Sequence, residues 1–272
     1  MIQKVHLAVI VSALLGSGLG GCATLDLPDG TEIADHPLVH YHRIFRPGKP
    51  WRLTANGVEV KRAGVLRTPG KPLSADAIWR DFHGEIGRWA DHYKVPAELI
   101  IAVIAIEAHR KGTTWSRDPR SVRTEKGYTS DEATPGRVSV GLMQVTLATA
   151  RAVMSKEGGN PEHVTRKWLM VPDNAIRIGT AYLSLQARGK MCNGATLLDP
   201  PVALAAYNTG HIARMGGRTN PWKLKQHPKG SGKHVTSGVS FFNDAVNILQ
   251  RHSIPAPYDY YDYLVDLEDW RP

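Results

Sequence analysis

The feature that most constrains this fold is an unbroken apolar run that ends at a carboxyl group. Residues 99–106 are all aliphatic, and Glu107 follows them directly. A helix that is apolar on every face lies buried inside a domain, so the run predicts a central helix over residues 97–108. Burial, together with the dipole at a helix C-terminus, would raise the pKa of the Glu107 carboxyl. From this feature alone, a Glu that points into water or pairs with Arg110 is the simpler explanation.

Helical periodicity extends over most of residues 74–253. An amphipathic pattern predicts a helix over residues 74–93, and further helices are expected at residues 145–154, 173–187, 201–207 and 240–251. The fold class is therefore mainly α, with a small β-hairpin region near the N-terminus.

The hairpin prediction rests on Asn56-Gly57, which separates two short segments with β character. Asn-Gly tolerates the positive φ that both central positions of a type I′ turn require. A two-residue loop at this dipeptide would place Leu53 opposite Val60. One hairpin is not stable by itself, so it should pack on the helices that follow.

The N-terminus has the pattern of an export signal. A positive start is followed by an apolar run at residues 5–15 and by mostly small residues up to Cys22. The apolar run is shorter than the ~20 residues that a membrane-spanning helix needs, but it suits the central region of a secretory signal peptide. The final Leu19-Gly20-Gly21-Cys22 resembles a bacterial lipobox, which implies cleavage before Cys22 and lipid on its sulfur. An ordinary signal peptide with an incidental Cys is the alternative.

Composition excludes several other classes of protein. Two cysteines in 272 residues exclude a disulfide scaffold, a four-Cys iron–sulfur cluster and a Cys-rich zinc site. Hydrophobic residues at 42% and charged residues at 22% exclude a disordered polyelectrolyte.

Two short motifs lie downstream of Glu107 and give it a context. Gly141-Leu142-Met143-Gln144 is expected to open a helix, and Ala206-Tyr207-Asn208-Thr209-Gly210 to end one. With the loop at residues 117–122 and the helix at residues 172–183, this order resembles the family 1 lytic transglycosylases. The resemblance covers residues 80–250. It implies the soluble-lytic-transglycosylase domain, a lysozyme-like (α+β) fold similar to goose lysozyme.

The resemblance also implies an activity, the non-hydrolytic cleavage of MurNAc-β-1,4-GlcNAc bonds in peptidoglycan. Glu107 would protonate the leaving oxygen and then act as a base on the muramyl C6 hydroxyl, giving a 1,6-anhydromuramyl end with assistance from the N-acetyl group. Met143 and Gln144 would line the groove, Tyr207 would orient Glu107, and Asn208 would contact the sugar. No cofactor and no metal is implied.

The implied partners are peptidoglycan glycan strands and, through lipid on Cys22, a membrane. Ala23 rather than Asp follows Cys22, which by resemblance to Gram-negative lipoproteins suggests the outer membrane, facing the periplasm. The net charge is +9, and a basic run lies in residues 209–243. Such a run would attract the carboxylates of peptidoglycan stems. Nucleic acid is the other partner for such a run, and the export signal speaks against it.

Two departures from the family pattern leave alternatives open. Ala108 stands where the family usually has Ser, and residues 124–137 look like an insertion that brings in Glu125, Asp131 and Glu132. One of these acids could make the protein a hydrolytic lysozyme-like muramidase, and loss of the hydroxyl could leave a non-catalytic peptidoglycan-binding scaffold. We expect instead that the insertion forms a mobile flap or short hairpin that buries little and adds little stability.

The sequence thus divides into four segments. A lipoprotein signal peptide at residues 1–21 is followed by a linker with a β-hairpin at residues 22–73. The transglycosylase domain is expected at residues 74–253, and an acidic, aromatic tail at residues 254–272 is expected to pack on the surface of that domain.

Overall fold

The computed structural model describes residues 50–108, 118–188, 199–210, 222, 224–227 and 233–269. The predicted signal peptide, Cys22 and most of the predicted linker lie outside them. The chain divides into two compact units. Among the described residues, the first unit comprises Glu107–Tyr182 and the second comprises everything before and after that range. The four segment boundaries expected from the sequence stay predictions.

Helices dominate the described residues, which confirms the mainly α class. In chain order they are α1 (Leu73–Tyr93), α2 (Ala97–Glu107), α3 (Leu147–Lys156), α4 (Arg166–Leu169), α5 (Pro172–Arg188), α6 (Pro200–Thr209), α7 (Lys233–Leu249) and α8 (Tyr260–Asp269). The strands are β1 (Trp51–Thr54), β2 (Gly57–Val60), β3 (Gly64–Val65), β4 (Val122–Thr124), β5 (Val138–Val140) and β6 (Val145–Thr146). In the described part of the chain, no helix combines the length and apolar character needed to cross a membrane.

The apolar helix α2 lies in the core, as its composition predicts. Every residue from Ala97 to Ala105 is buried. In the second unit α7 approaches it closely, because a Cβ at Gly238 would lie 2.7 Å from both Ile106 Cδ1 and Leu204 Cδ1. Glycine therefore permits the contact that α7 makes with α2 and α6.

The C-terminal tail enters the core more deeply than a surface segment would. It forms α8, and Tyr260 packs edge-on against Phe242 with ring centroids 5.1 Å apart. Tyr258 and Tyr263 are also buried. The aromatic residues of the tail are therefore part of the core of the second unit.

A hairpin forms where the sequence predicts one, but its loop lies one residue earlier than predicted. β1 pairs antiparallel with β2, with Leu53 opposite Val58 and not Val60. The loop consists of Ala55 and Asn56. Gly57 takes a positive φ of 104° and Asn56 does not. Because a type I′ turn needs a positive φ at both positions, the prediction of that turn type is wrong. β3 then pairs with β2 and makes a three-stranded sheet.

A side chain far away in the sequence explains this register. Asn243 in α7 accepts a hydrogen bond from Val58 N at 2.7 Å and donates to Val58 O at 3.0 Å. Its Nδ2 also donates to Leu66 O at 2.7 Å. A Cβ at Gly57 would lie 2.2 Å from Asn243 Oδ1, so only glycine fits at that position. One buried amide therefore joins the small sheet to α7.

We expect Asn243→Ala to lower the free energy of unfolding by about 3 kcal/mol, because it leaves buried backbone groups without hydrogen-bond partners. Asn247→Ala is the matched control, since it makes the same change one helical turn later and should cost no more than about 0.5 kcal/mol. Chemical denaturation of both variants measures the difference. Equal losses would show that Asn243 does not hold the sheet.

Candidate active site

Glu107 is the last residue of α2, and its side chain is only 17% exposed. Burial raises the pKa of its carboxyl to about 7, and the guanidinium of Arg123 opposes that rise. This agrees with the expectation from the sequence that the apolar helix raises the pKa. A carboxyl with this pKa exchanges its proton readily near neutral pH.

Arg123 on β4 contacts Glu107 twice. Its Nη2 donates to the backbone oxygen of Glu107, and its Nη1 lies 3.8 Å from Glu107 Oε2. Arg123 has no signal in the sequence, because nothing in the local pattern shows that a strand places residue 123 beside residue 107.

The Gly141–Gln144 motif forms a turn between β5 and β6, so the prediction that it opens a helix is wrong. The helix α3 begins later, at Leu147, where the Thr146 side chain accepts a hydrogen bond from Thr149 N. Gly141 has a φ of 78°, and a Cβ there would lie 2.4 Å from Leu169 O. The turn therefore requires glycine at its first position.

Gln144 is 8% exposed, and it projects from this turn with a φ of 48°. Its Nε2 donates to Gly141 O at 2.8 Å and to Ser121 O at 3.1 Å. Two carbonyl acceptors fix which end of the amide is the nitrogen. Its buried Oε1 has no hydrogen-bond partner among the described residues.

Met143 does not line a groove, contrary to the prediction from the sequence. Its side chain has no exposed surface. It packs instead on Gly179 of α5, where a Cβ would lie 2.3 Å from Met143 Sδ. Met143 therefore lies in the core of the first unit, while the next residue, Gln144, bonds to backbone oxygens of Gly141 and Ser121.

Tyr207 and Asn208 lie in α6 and belong to the second unit, where Tyr207 is 9% exposed. Asn208 Oδ1 accepts a hydrogen bond from His227 N, and Asn208 Nδ2 lies 3.5 Å from His234 Nδ1. Burial lowers the pKa of His234 to about 4, and the nearby His227 adds to that effect. A neutral His234 can accept from the amide, so Asn208 ties the end of α6 to the segment that follows.

A family model of the transglycosylase SLT domain matches residues 85–227, which is 143 of the 272 residues. The chain belongs to this family. The matched region includes Glu107, the Gly141–Gln144 turn, Tyr207 and Asn208.

A curated relative, the membrane-bound lytic murein transglycosylase C of Photorhabdus laumondii, is 24% identical over 220 residues. The alignment covers 75% of this chain and 56% of that protein. This chain therefore spans about half the length of the relative. The family resemblance expected from the motifs is confirmed.

Within the SLT domain, residues 125–137 connect β4 to β5, so the two strands that pair flank the insertion and the insertion itself is their connection. Arg166 donates hydrogen bonds to the Asp131 carboxylate through both Nε and Nη2, with N–O distances of 2.6 to 2.8 Å. Tyr128 OH donates to the same carboxyl at 2.9 Å, and Arg166 lies over the Tyr128 ring. These contacts join the insertion to α4, so we now expect it to contribute more to stability than the sequence suggests.

The three acids of the insertion differ in their surroundings. The hydrogen bonds from Arg166 hold the pKa of Asp131 below its usual value, so this carboxyl is ionised and occupied. Glu125 and Glu132 are exposed to solvent. Among the residues that the structure describes, no group of three or more His, Cys, Asp or Glu is placed to hold a metal ion.

We expect Asp131→Asn to lower the free energy of unfolding by about 1 kcal/mol near neutral pH, since a two-pronged Arg–carboxylate pair is lost. Because folding lowers the pKa of Asp131, its contribution is complete above the unfolded value of about 3.9 and is lost as the pH falls through the folded value. The gap between the parent and the variant should therefore close in acid. Denaturation at several pH values measures it, with Glu132→Gln as the control for an exposed acid in the same loop. A gap that persists in acid would contradict the assignment.

Proposed function

We propose that this protein is a lytic transglycosylase that cleaves the β-1,4 bond between MurNAc and GlcNAc in peptidoglycan without water. The observation that carries this proposal is a Glu with a pKa of about 7 at the end of the apolar helix of an SLT domain. Such a group can donate a proton and take one back within a single turnover, because a pKa near the working pH makes neither transfer strongly unfavourable.

The reaction needs one proton donor and one internal nucleophile. Protonated Glu107 gives its proton to the glycosidic oxygen, so the C1–O bond of MurNAc breaks and GlcNAc leaves with a C4 hydroxyl. The N-acetyl group of MurNAc stabilises the positive charge at C1. The ionised Glu107 then takes the proton of the C6 hydroxyl, and O6 closes on C1 as the 1,6-anhydro ring. The enzyme returns to its protonated state and no water is consumed.

A single carboxyl fits this chain better than a pair. A glycosidase that uses two carboxyls holds both of them beside the scissile bond. Asp131 is engaged by Arg166 and Tyr128, and Glu125 and Glu132 face solvent. Assistance by the substrate makes a second carboxyl unnecessary.

Substrate contacts are proposed from the same residues. The free Oε1 of Gln144 is a buried acceptor, and a sugar hydroxyl or the N–H of an N-acetyl group would satisfy it. The roles expected for Tyr207 and Asn208 stay predictions. So does a lipid anchor on Cys22 in the outer membrane, since Cys22 lies outside the described residues.

We expect Glu107→Gln to abolish release of soluble fragments from purified peptidoglycan, a loss of at least about a hundredfold, because the amide cannot donate the proton. The variant should be no less stable than the parent at neutral pH. It removes a carboxyl whose ionised form is penalised by burial.

Glu125→Gln and Glu132→Gln are the matched controls, since each makes the same change at an exposed position and should leave the rate within about twofold. Fragment release by folded Glu107→Gln at a near-parent rate would overturn the assignment of the acid.

The rate should depend on pH through the same carboxyl. The reaction begins with protonated Glu107, so kcat/KM should fall as the pH rises through about 7. Initial rates on a defined muropeptide across a pH series measure this limb. A limb centred near the ordinary Glu value of about 4.3 would show that burial does not govern the catalytic proton.

A further inference from the structure

We propose that Arg123 is a positioning residue that fixes Glu107 and stabilises the carboxylate that forms when Glu107 donates its proton. We further infer that the connection at residues 125–137 serves to hold Arg123 in that place. The inference rests on the proposed function, and it gives the insertion a role in the reaction.

The first support is geometric. One guanidinium reaches both the main chain and the side chain of the same residue, through Nη2 to Glu107 O and Nη1 to Glu107 Oε2. The carbonyl oxygens in the last turn of a helix have no partner within the helix, and Arg123 satisfies the final one of α2. A planar fork with fixed donors can hold both oxygens at once, which a single ammonium group cannot do.

The second support is electrostatic. Burial and the helix C-terminus both disfavour the ionised form of Glu107, and the charge on Arg123 opposes them. A carboxyl whose pKa is too high is a weak acid, because its ionised form is unfavourable. Because the proposed reaction begins with proton donation by this carboxyl, a partial counter-charge stabilises the carboxylate that is left and assists the first half of the turnover. At 3.8 Å the cation is close enough to stabilise the carboxylate but does not form a close ion pair that would keep it ionised.

The third support is the way in which Arg123 is held. Its strand β4 pairs with β5, with Arg123 opposite Ser139. Beyond the strand, Glu125 N donates to Arg137 O at 2.8 Å, and Arg137 Nη1 donates to Lys126 O at 2.6 Å. The two ends of the connection are thus fixed to each other immediately beyond Arg123.

The middle of the connection is fixed as well. Arg166 of α4 donates hydrogen bonds to the Asp131 carboxylate, and Arg151 of α3 donates to Asp131 O at 3.4 Å. The connection is therefore anchored to two helices of the first unit. These contacts restrain the strand that carries Arg123 on both sides of the connection.

If Arg123 only capped the end of α2, it would make the same hydrogen bond to Glu107 O. The experiment must therefore measure the ionisation of the Glu107 carboxyl. The variants are Arg123→Gln, which removes the charge, and Arg123→Lys, which keeps the charge without the fork. Lys167→Gln is the control, because Lys167 is exposed in the same unit and the change in net charge is the same.

Two quantities are measured in each folded variant. One is the pH at the midpoint of the alkaline limb of kcat/KM on a muropeptide. The other is the titration midpoint of the Glu107 carboxyl, followed by NMR of protein labelled at its glutamate side chains and assigned with Glu107→Gln.

We expect Arg123→Gln to shift both midpoints to higher pH and to lower kcat/KM by about tenfold in mild acid, where a charge-assisted hydrogen bond is lost. Arg123→Lys should keep both midpoints near those of the parent while recovering only part of the rate. Lys167→Gln should leave all three quantities unchanged. If Arg123→Gln does not fold, Arg123→Met is the neutral replacement.

Unchanged midpoints in folded Arg123→Gln, with or without a loss of rate, would overturn the proposal and leave Arg123 as a helix cap only. If the parent releases no fragments, the proposed function fails separately. The NMR titration still decides whether Arg123 governs the ionisation of Glu107.

Discussion

The site depends on one electrostatic balance, the burial of the Glu107 carboxyl against the charge of Arg123. Burial alone would hold the carboxyl protonated, and exposure would leave it ionised at neutral pH. The intermediate pKa of about 7 arises because the side chain is largely buried while one guanidinium remains near it. A proton donor that must also recover its proton needs this intermediate state.

The rest of the structure keeps that balance fixed. Residues 99–106 of α2 are all apolar, so the helix cannot shift toward solvent without exposing a buried surface. Gly238 lets α7 approach α2 closely, and Tyr260 of the C-terminal helix packs on Phe242 of α7. In the first unit, the hairpin of β4 and β5 brings Arg123 to Glu107, and Asp131 with Arg166 anchors the connection between those strands.

The features that depend only on neighbouring residues could be predicted from the sequence. The buried helix α2 follows from an uninterrupted apolar run, and the raised pKa of Glu107 follows from its place in that helix. The hairpin loop is displaced because Asn243 in α7, remote in sequence, bonds to Val58. The contact of Arg123 with Glu107 and the burial of Met143 against Gly179 likewise depend on tertiary pairing, which periodicity does not encode. The Gly141–Gln144 motif identifies the family, but it does not reveal that the segment is a turn.

In the proposed reaction a single buried carboxyl cuts the glycan without water, so the products differ in mass from those of a hydrolase. The most direct test is mass analysis of the fragments that the full-length protein releases from purified peptidoglycan in water labelled with heavy oxygen. We expect 1,6-anhydromuramyl ends, which lack the elements of water and contain no label. Labelled reducing MurNAc ends would contradict it, because they would show that water attacked the sugar.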